Sequence, residues 1–192
     1  MTTETTSALH ADIGHAISHA AIEVFSTMLA MDITAGEAII RRSEPEYHAN
    51  VVALLGLTGD WSGSGQLAVE PGFACKIASQ MLMAEYDDVN EDVLDAVAEI
   101  ANMIIGNIKN ELEPTLGSMG LSTPTIVFGG DFGTRVAGSP ERVIMPFTCP
   151  EGAMHVQILL APQHNEASLH RLRAHLALSE PQVLTPPVAL TD

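Results

Sequence analysis

Asp95, Glu99, Asn102 and Gly106 recur at i, i+4, i+7 and i+11 in the middle of the chain. At helical pitch these four positions fall on one line. Glu99 and Asn102, one turn apart, then project a carboxylate and a carboxamide in the same direction. Gly106, a turn further on, leaves a shallow spot where another backbone could approach. Two readings compete for this line. Any amphipathic surface helix shows a polar stripe to solvent. Against that, an Asn in mid-helix lowers helix propensity, and a Gly there costs about 1 kcal/mol relative to Ala. Both fall on the same stripe, which favours a surface kept for function.

Other constellations carry less. His15, His19 and Glu23 lie at i, i+4 and i+8 and could hold a divalent metal, but no further ligand is evident. Asp131-Phe132-Gly133 mimics the magnesium motif of kinases without its companion loops, so it reads as a turn. Gly59, Gly63 and Gly65 imitate a phosphate cradle but lie between strand-like runs, where a hairpin is the default. Trp61 sits at that turn, as a surface contact or a cap on the core. Cys75 and Cys149 have no His or acid at a recognisable spacing and read as small buried hydrophobes of a reducing compartment.

The line at 95–106 belongs to a helix expected from Asn90, a good N-cap, to Leu112, ended by Glu113-Pro114. Its core face is expected to be Leu94, Val97, Ala98, Ala101, Ile105 and Ile108. A first helix is predicted over His10–Met31 from the stripe Ile13, Ile17, Ala20, Ala21, Val24, Met28 and Met31. Strands are predicted at Glu37–Glu44, Asn50–Thr58 and Ser64–Val69, followed by a helix opened by Pro71 and running to Met83. Three more strands follow, Thr125–Phe128, Arg142–Cys149 and Met154–Leu160. This order gives an α+β domain with long helices packed on a largely antiparallel sheet. It occupies residues 10–162, after an N-terminal extension of residues 1–9. Residues 163–192 differ: Leu169, Leu172 and Leu176 suit a short helix over Asn165–Ser179, and Pro181, Pro186 and Pro187 suit a flexible tail.

Composition bounds the partners. With 24 acidic and 8 basic residues the formal net charge is −16, a field that repels nucleic acid and anionic membranes. Glu85, Asp87, Asp88, Glu91, Asp92, Asp95 and Glu99 follow one another without a Lys or Arg. That run is either a solvated loop and helix start, favoured by the macrodipole, or a docking face for a partner presenting lysine. No stretch approaches the ~18 apolar residues of a membrane span, and residues 1–9 lack the marks of a signal peptide, so a cytoplasmic location is expected.

The run Glu99-Ile100-Ala101-Asn102-Met103-Ile104-Ile105-Gly106-Asn107 resembles the E-x-x-N-M-I-x-G-N signature of the CheX branch of the CheC/CheX/FliY chemotaxis phosphatases. Three further stretches look like the same family, in the same order: Val24-Phe25-Ser26-Thr27-Met28-Leu29, Leu57-Thr58-Gly59-Asp60, and Pro124-Thr125-Ile126-Val127 with Gly129-Gly130.

The resemblance implies a phosphatase that speeds hydrolysis of the aspartyl phosphate on a CheY-like response regulator. Asn102 would orient the attacking water and Glu99 would pair with the regulator's lysine. Asp95 and Gly106 would belong to the docking surface. Mg²⁺ would come with the regulator, and this chain would need no cofactor or metal of its own. Relatives of the CheC type carry two such helices; here the first helix offers Glu23-Val24-Phe25-Ser26, with Ser26 where an Asn would be, so one site per chain is expected. The CheX pattern also implies a homodimer joined through the sheet. The alternative is a non-catalytic module that binds a phosphorylated regulator or another signalling partner through the same acidic face.

Overall fold

Residues 50–69 set the frame, because their two apolar runs are joined by a turn that only glycine suits. Gly59 has φ 146°, a region that L side chains rarely adopt, and a Cβ there would strike the Ser118 carbonyl. The computed structural model describes residues 3–42, 46–47, 50–130, 132–133 and 141–162. In chain order they form α1 (Thr3–Met28), β1 (Thr34–Ala35), β2 (Ile39–Arg41), β3 (Glu46–Tyr47), β4 (Asn50–Gly59), β5 (Trp61–Val69), α2 (Pro71–Leu82), α3 (Glu91–Leu116), β6 (Met119–Leu121), β7 (Thr125–Gly129), β8 (Phe132–Gly133), β9 (Arg142–Cys149) and β10 (Gly152–Pro162).

The main sheet is antiparallel throughout and ordered β1-β9-β10-β5-β4-β6, with β2 also on β9 and β7 also on β4. β3 and β8 pair separately, so Phe132 and Gly133 are strand rather than turn; Asp131 lies outside the described residues. The expected α+β architecture is present. One face of the sheet, carried by Val51, Ala53, Leu55, Leu67, Val156 and Ile158, shares a single core with the three helices. Phe25 of α1 and Phe73 of α2 stack across it with ring centroids 6.0 Å apart. Among the described residues no helix is long and apolar enough to cross a membrane.

Several boundaries differ from the sequence reading, each for a local reason. α1 begins at Thr3, inside the stretch assigned to an extension, and Leu9 is buried in the core. It stops at Met28 rather than Met31 because Ala30 turns left-handed, with φ 51°, and folds the Met31 amide back onto the Phe25 carbonyl at 3.1 Å. The strand expected at Glu37–Glu44 is shortened to β2 (Ile39–Arg41), and β1 (Thr34–Ala35) precedes it; the two pair with β9 on either side of Pro146. Proline cannot donate to the ladder, and only Gly36 N–H reaches the Pro146 carbonyl, at 2.8 Å. α3 passes Pro114, which removes a single backbone bond in the last turn, while buried Leu112 and Leu116 hold that turn to the core. β6 was not expected at all: Gly117, Ser118 and Gly120 hide its pattern. The helix and proline tail assigned to residues 163–192 lie outside the described residues.

Two contacts place α3. A Cβ on Gly65 of β5 would lie 2.6 Å from Ile105 Cγ2 and 2.7 Å from its Cδ1, so the helix rests on the bare backbone of the strand. On its flank, Glu111 accepts from His15 (3.2 Å) and His19 (3.0 Å) of α1. The Glu111 hydrogen bond and charge hold His19 above the ordinary 6.5. Partial desolvation alone would raise Glu111, but the hydrogen bonds of His19 and then His15 outweigh it and hold the carboxyl below 4.5.

Gly65→Ala should therefore destabilise by about 1–3 kcal/mol through overpacking against a branched stem, read as a lower Tm. An unchanged Tm would show that α3 can lift without cost. The histidine bridge gives a pH signature. A raised His19 stabilises fully below about pH 6.5 and ceases to as pH rises through its folded value; a lowered Glu111 stabilises above about pH 4.5 and ceases to as pH falls through its own. The Tm difference between the parent and His19→Gln should be widest between those limits and shrink above them; a difference independent of pH would refute the coupling.

Candidate functional site

α3 is rigidly started. The Asn90 side chain accepts from Val93 N–H at 3.0 Å, as an N-cap does, and Glu91 and Asp92 fill the first turn, where the helix dipole favours carboxylates. The loop before it is tied down as well. Ser79 donates to the Cys75 carbonyl at 2.8 Å and accepts from Tyr86 N–H at 3.2 Å, while the Tyr86 hydroxyl donates to Asp92 at 3.3 Å. Glu85, Asp87, Asp88, Glu91, Asp92, Asp95 and Glu99 are all exposed. Ser79 and Tyr86 were missed as positioning residues, since nothing in their spacing announces the contact.

The buried side of α3 is broader than the sequence stripe. Val93, Ala96, Ile100 and Ile104 are fully buried beside Val97, Ala101, Ile105 and Ile108, whereas Leu94 and Ala98 are only partly so. The helix is wedged between α1, α2 and the sheet, which widens its covered arc. The opposite side is the one expected. Asp95, Glu99, Asn102 and Gly106 lie within an arc of about 60°. Asp95 and Glu99 are exposed; Asn102 is partly buried rather than fully open. Among the described residues neither Glu99 nor Asn102 has a hydrogen bond or ion pair. Lys109, two turns beyond Asn102, is engaged by Glu113 at 2.7 Å. The Lys109 hydrogen bond, followed by the one from Met119 N–H, holds the Glu113 carboxyl low. A Cβ on Gly106 would meet only Leu121 Cδ2, at an ordinary 3.9 Å. Internal packing therefore does not require glycine there.

The first helix does not repeat this surface. Ser26 donates to the Glu23 carbonyl at 3.0 Å and Thr27 to the same oxygen at 2.7 Å, so both hydroxyls are spent on their own backbone. Glu23 is exposed beside them.

The remaining candidates resolve as structure. His15 and His19 converge on Glu111, and among the described residues no group of three or more His, Cys, Asp or Glu is arranged to hold a metal ion. Gly59 is the hairpin turn, and Gly63 and Gly65 lie inside β5. Trp61 is fully buried. Cys75 is buried and Cys149 partly so; burial pushes both thiols up, away from the nucleophilic thiolate.

What this arrangement can do is present one carboxylate and one carboxamide, without a partner among the described residues, on the outer side of a packed helix. The chain was compared with known proteins. Residues 51–148, just over half of it, match the family model described as chemotaxis phosphatase CheX. The CheY-P phosphatase CheX of Thermotoga maritima is 30% identical over 97 residues, which cover 50% of this chain and 63% of that relative. Among solved structures, the chemotaxis protein CheX from Vibrio vulnificus superposes with a TM-score of 0.69 at 26% identity, covering 76% of this chain and 97% of that one. The CheX–CheY–BeF3–Mg²⁺ complex from Borrelia burgdorferi gives 0.64 at 25% identity, covering 76% and 96%. The family match spans β4 through most of β9 and includes the whole of α3 with its Glu99–Asn102 pair, and on that match the chain belongs to the CheX family.

Proposed function

We propose that this protein hydrolyses the aspartyl phosphate of a CheY-like response regulator, using Glu99 and Asn102 of α3. The observation that carries the reading is the pair itself: two side chains side by side on the open face of a fixed helix, with no partner among the described residues. A buried or internally bonded pair would have served stability instead. The family match and the relative named as a CheY-P phosphatase support the same reaction. A solved relative is named as a complex of CheX with CheY, BeF3 and Mg²⁺, which supports a regulator as the partner and as the source of the metal.

The chemistry asks for placement more than covalent help. The Asn102 carboxamide oxygen accepts from a water molecule and directs its lone pair in line with phosphorus. The P–O bond to the aspartyl oxygen breaks, the regulator keeps its carboxylate, and inorganic phosphate leaves. A carboxamide can hold that water without itself attacking. Glu99 makes a charge-assisted contact to the regulator's lysine, and the acidic run from Glu85 to Asp95 extends the same field. Lys109 does not oppose it, being held by Glu113. Gly106 keeps the surface below Asn102 low. The acidic face alone would also suit a non-catalytic module that grips the phosphorylated regulator.

The protein is further proposed to be cytoplasmic and to form a homodimer through a sheet edge. Ile39 and Ile40 on β2 and Phe128 on β7 are exposed on edge strands, where unpaired backbone and apolar side chains invite pairing. Light scattering should give twice the chain mass at micromolar concentration. A monomer would remove the dimer and leave the catalytic reading untouched.

The test of chemistry follows phosphate loss from a phosphorylated CheY-like regulator. Asn102→Ala should slow added hydrolysis by roughly 100-fold or more while binding changes little, because its contact matters in the transition state. Glu99→Ala should weaken binding by roughly tenfold and turnover with it. Gly106→Ala should raise Tm by about 2–4 °C, having gained helix propensity, yet impair docking. If Asn102→Ala and Glu99→Ala both match the parent, the mechanism fails. If the parent binds the regulator and protects its phosphate, the binding-module reading replaces it.

A further inference from the structure

The polar line of α3 leans toward one edge of the sheet. Gly106 faces Leu121 of β6, whose Cδ2 would lie 3.9 Å from a Cβ on the glycine. Asp95, Glu99 and Asn102 share that flank of the helix. α3 and β4 run in the same direction. Ile105 rests on Gly65, which pairs with Leu55, and Glu113 further on accepts from the amide of Met119, which pairs with Gly59. The half of α3 before Ile105 is therefore carried toward the Asn50 end of β4, where the outer neighbour is β7. α3 touches β7 there.

A bulge decides what β7 shows to the helix. Leu121 of β6 lies opposite Leu57 and Thr125 of β7 opposite Leu54, so Ser122, Thr123 and Pro124 stand against only Leu55 and Gly56. Ser122 clips the extra residue in place: its N–H donates to the Gly56 carbonyl at 2.9 Å, and its hydroxyl accepts from the Gly56 N–H at 2.8 Å. Residues directly opposite in an antiparallel pair share a face, and a shift of one residue exchanges the faces. Without the bulge Thr125 and Val127 would face the helices. With it Ile126 lies opposite Ala53 and Phe128 opposite Val51, two residues of the core beneath α3. Leu121 and Ile126 are partly buried against that core, but Phe128 is 49% exposed. Internal packing thus uses Ile126 and leaves half of the Phe128 ring open. The result is a notch, with the polar line of α3 as one wall and Leu121, Ile126 and Phe128 as the other.

We propose that β7 is the second wall of the docking site, where Phe128 and Ile126 seat an apolar patch beside the regulator's lysine. The proposal rests on the reading of Glu99 and Asn102 as the face that meets the regulator. Charge selects this occupant. Asp95 and Glu99 are exposed along the notch, so a lysine-bearing partner brings opposite charge to it, whereas a second copy of a chain of net charge −16 brings like charge. The apolar wall supplies what a single polar line lacks. A partner held only along the line can roll about the helix axis, and a contact off the line stops the roll. A dimer through a sheet edge then falls to β2, with Ile39 and Ile40.

The experiment titrates the full chain with a CheY-like regulator loaded with BeF3 and Mg²⁺, a stand-in for the phosphorylated state, and separately follows phosphate loss from the phosphorylated regulator. Phe128→Thr, which suits a strand, should weaken binding by about tenfold, and Phe128→Leu by about twofold or less. The loss should appear in KM far more than in kcat, the reverse of Asn102→Ala. It should persist at about 0.5 M salt, where the loss in Glu99→Ala shrinks. Unchanged affinity in Phe128→Thr, with Glu99→Ala still impaired, overturns the second wall and leaves the reading of α3 standing. A Phe128→Thr loss that vanishes in salt overturns it too, because the contact is then not apolar. Light scattering that shows Phe128→Thr at half the mass of the parent assigns the residue to a second copy and overturns the proposal. A parent that binds no such regulator overturns both the second wall and the reading it rests on.

Discussion

The seat of α3 on Gly65 is the constraint from which the rest follows. With no side chain at that point of β5, Ile105 drops onto backbone and the helix axis is fixed close to the sheet. From there α1 and α2 can flank it, and the arc of α3 that remains uncovered is narrowed to the one holding Asp95, Glu99, Asn102 and Gly106. A longer residue in place of Gly65 would push the helix outward and re-aim that arc. The N-cap at Asn90 and the bridge from Glu111 to α1 fix the two ends of the same rod. The mechanism proposed above asks for close placement of a group that only positions water, and a helix pinned at both ends and along its belly suits it.

Much of this was legible in the sequence, and the reasons are local. The polar line of α3 could be read because helical geometry is regular and Asn and Gly are poor choices for mid-helix; Asn90 could be read because capping is a single-residue property. The limits of β9 matched because its apolar run is bounded cleanly by turn residues. What escaped depended on contacts between distant segments. The break between β1 and β2 is imposed by Pro146, more than a hundred residues away. The extra turn of α3 beyond Pro114 rests on where Leu112 and Leu116 find the core. The full buried arc of α3, with Val93, Ala96, Ile100 and Ile104, depends on three neighbours whose positions no periodicity reveals.

The histidines show the same limit from the other side. His15 and His19, with Glu23 on the same helix face, could be read as metal ligands, and no further ligand is evident in the sequence. Their partner, Glu111, sits on another helix and turns a candidate ion site into a bridge between elements. Ser26, which stands where a second site would need an Asn, spends its hydroxyl on its own backbone. In both cases the decisive fact is what else competes for the group.

α3 is buried along one side and carries the proposed site along the other, and none of Asp95, Glu99, Asn102 and Gly106 is among its buried residues. Core and surface can therefore be edited separately. Under the mechanism proposed above, a lineage could lose Asn102, which has no hydrogen bond among the described residues, and turn a hydrolase into a silent reader of the same regulator in one step. It could equally refine the packing beneath without disturbing the chemistry above. Signalling systems that need both erasers and readers of one mark could draw them from a single scaffold of this design.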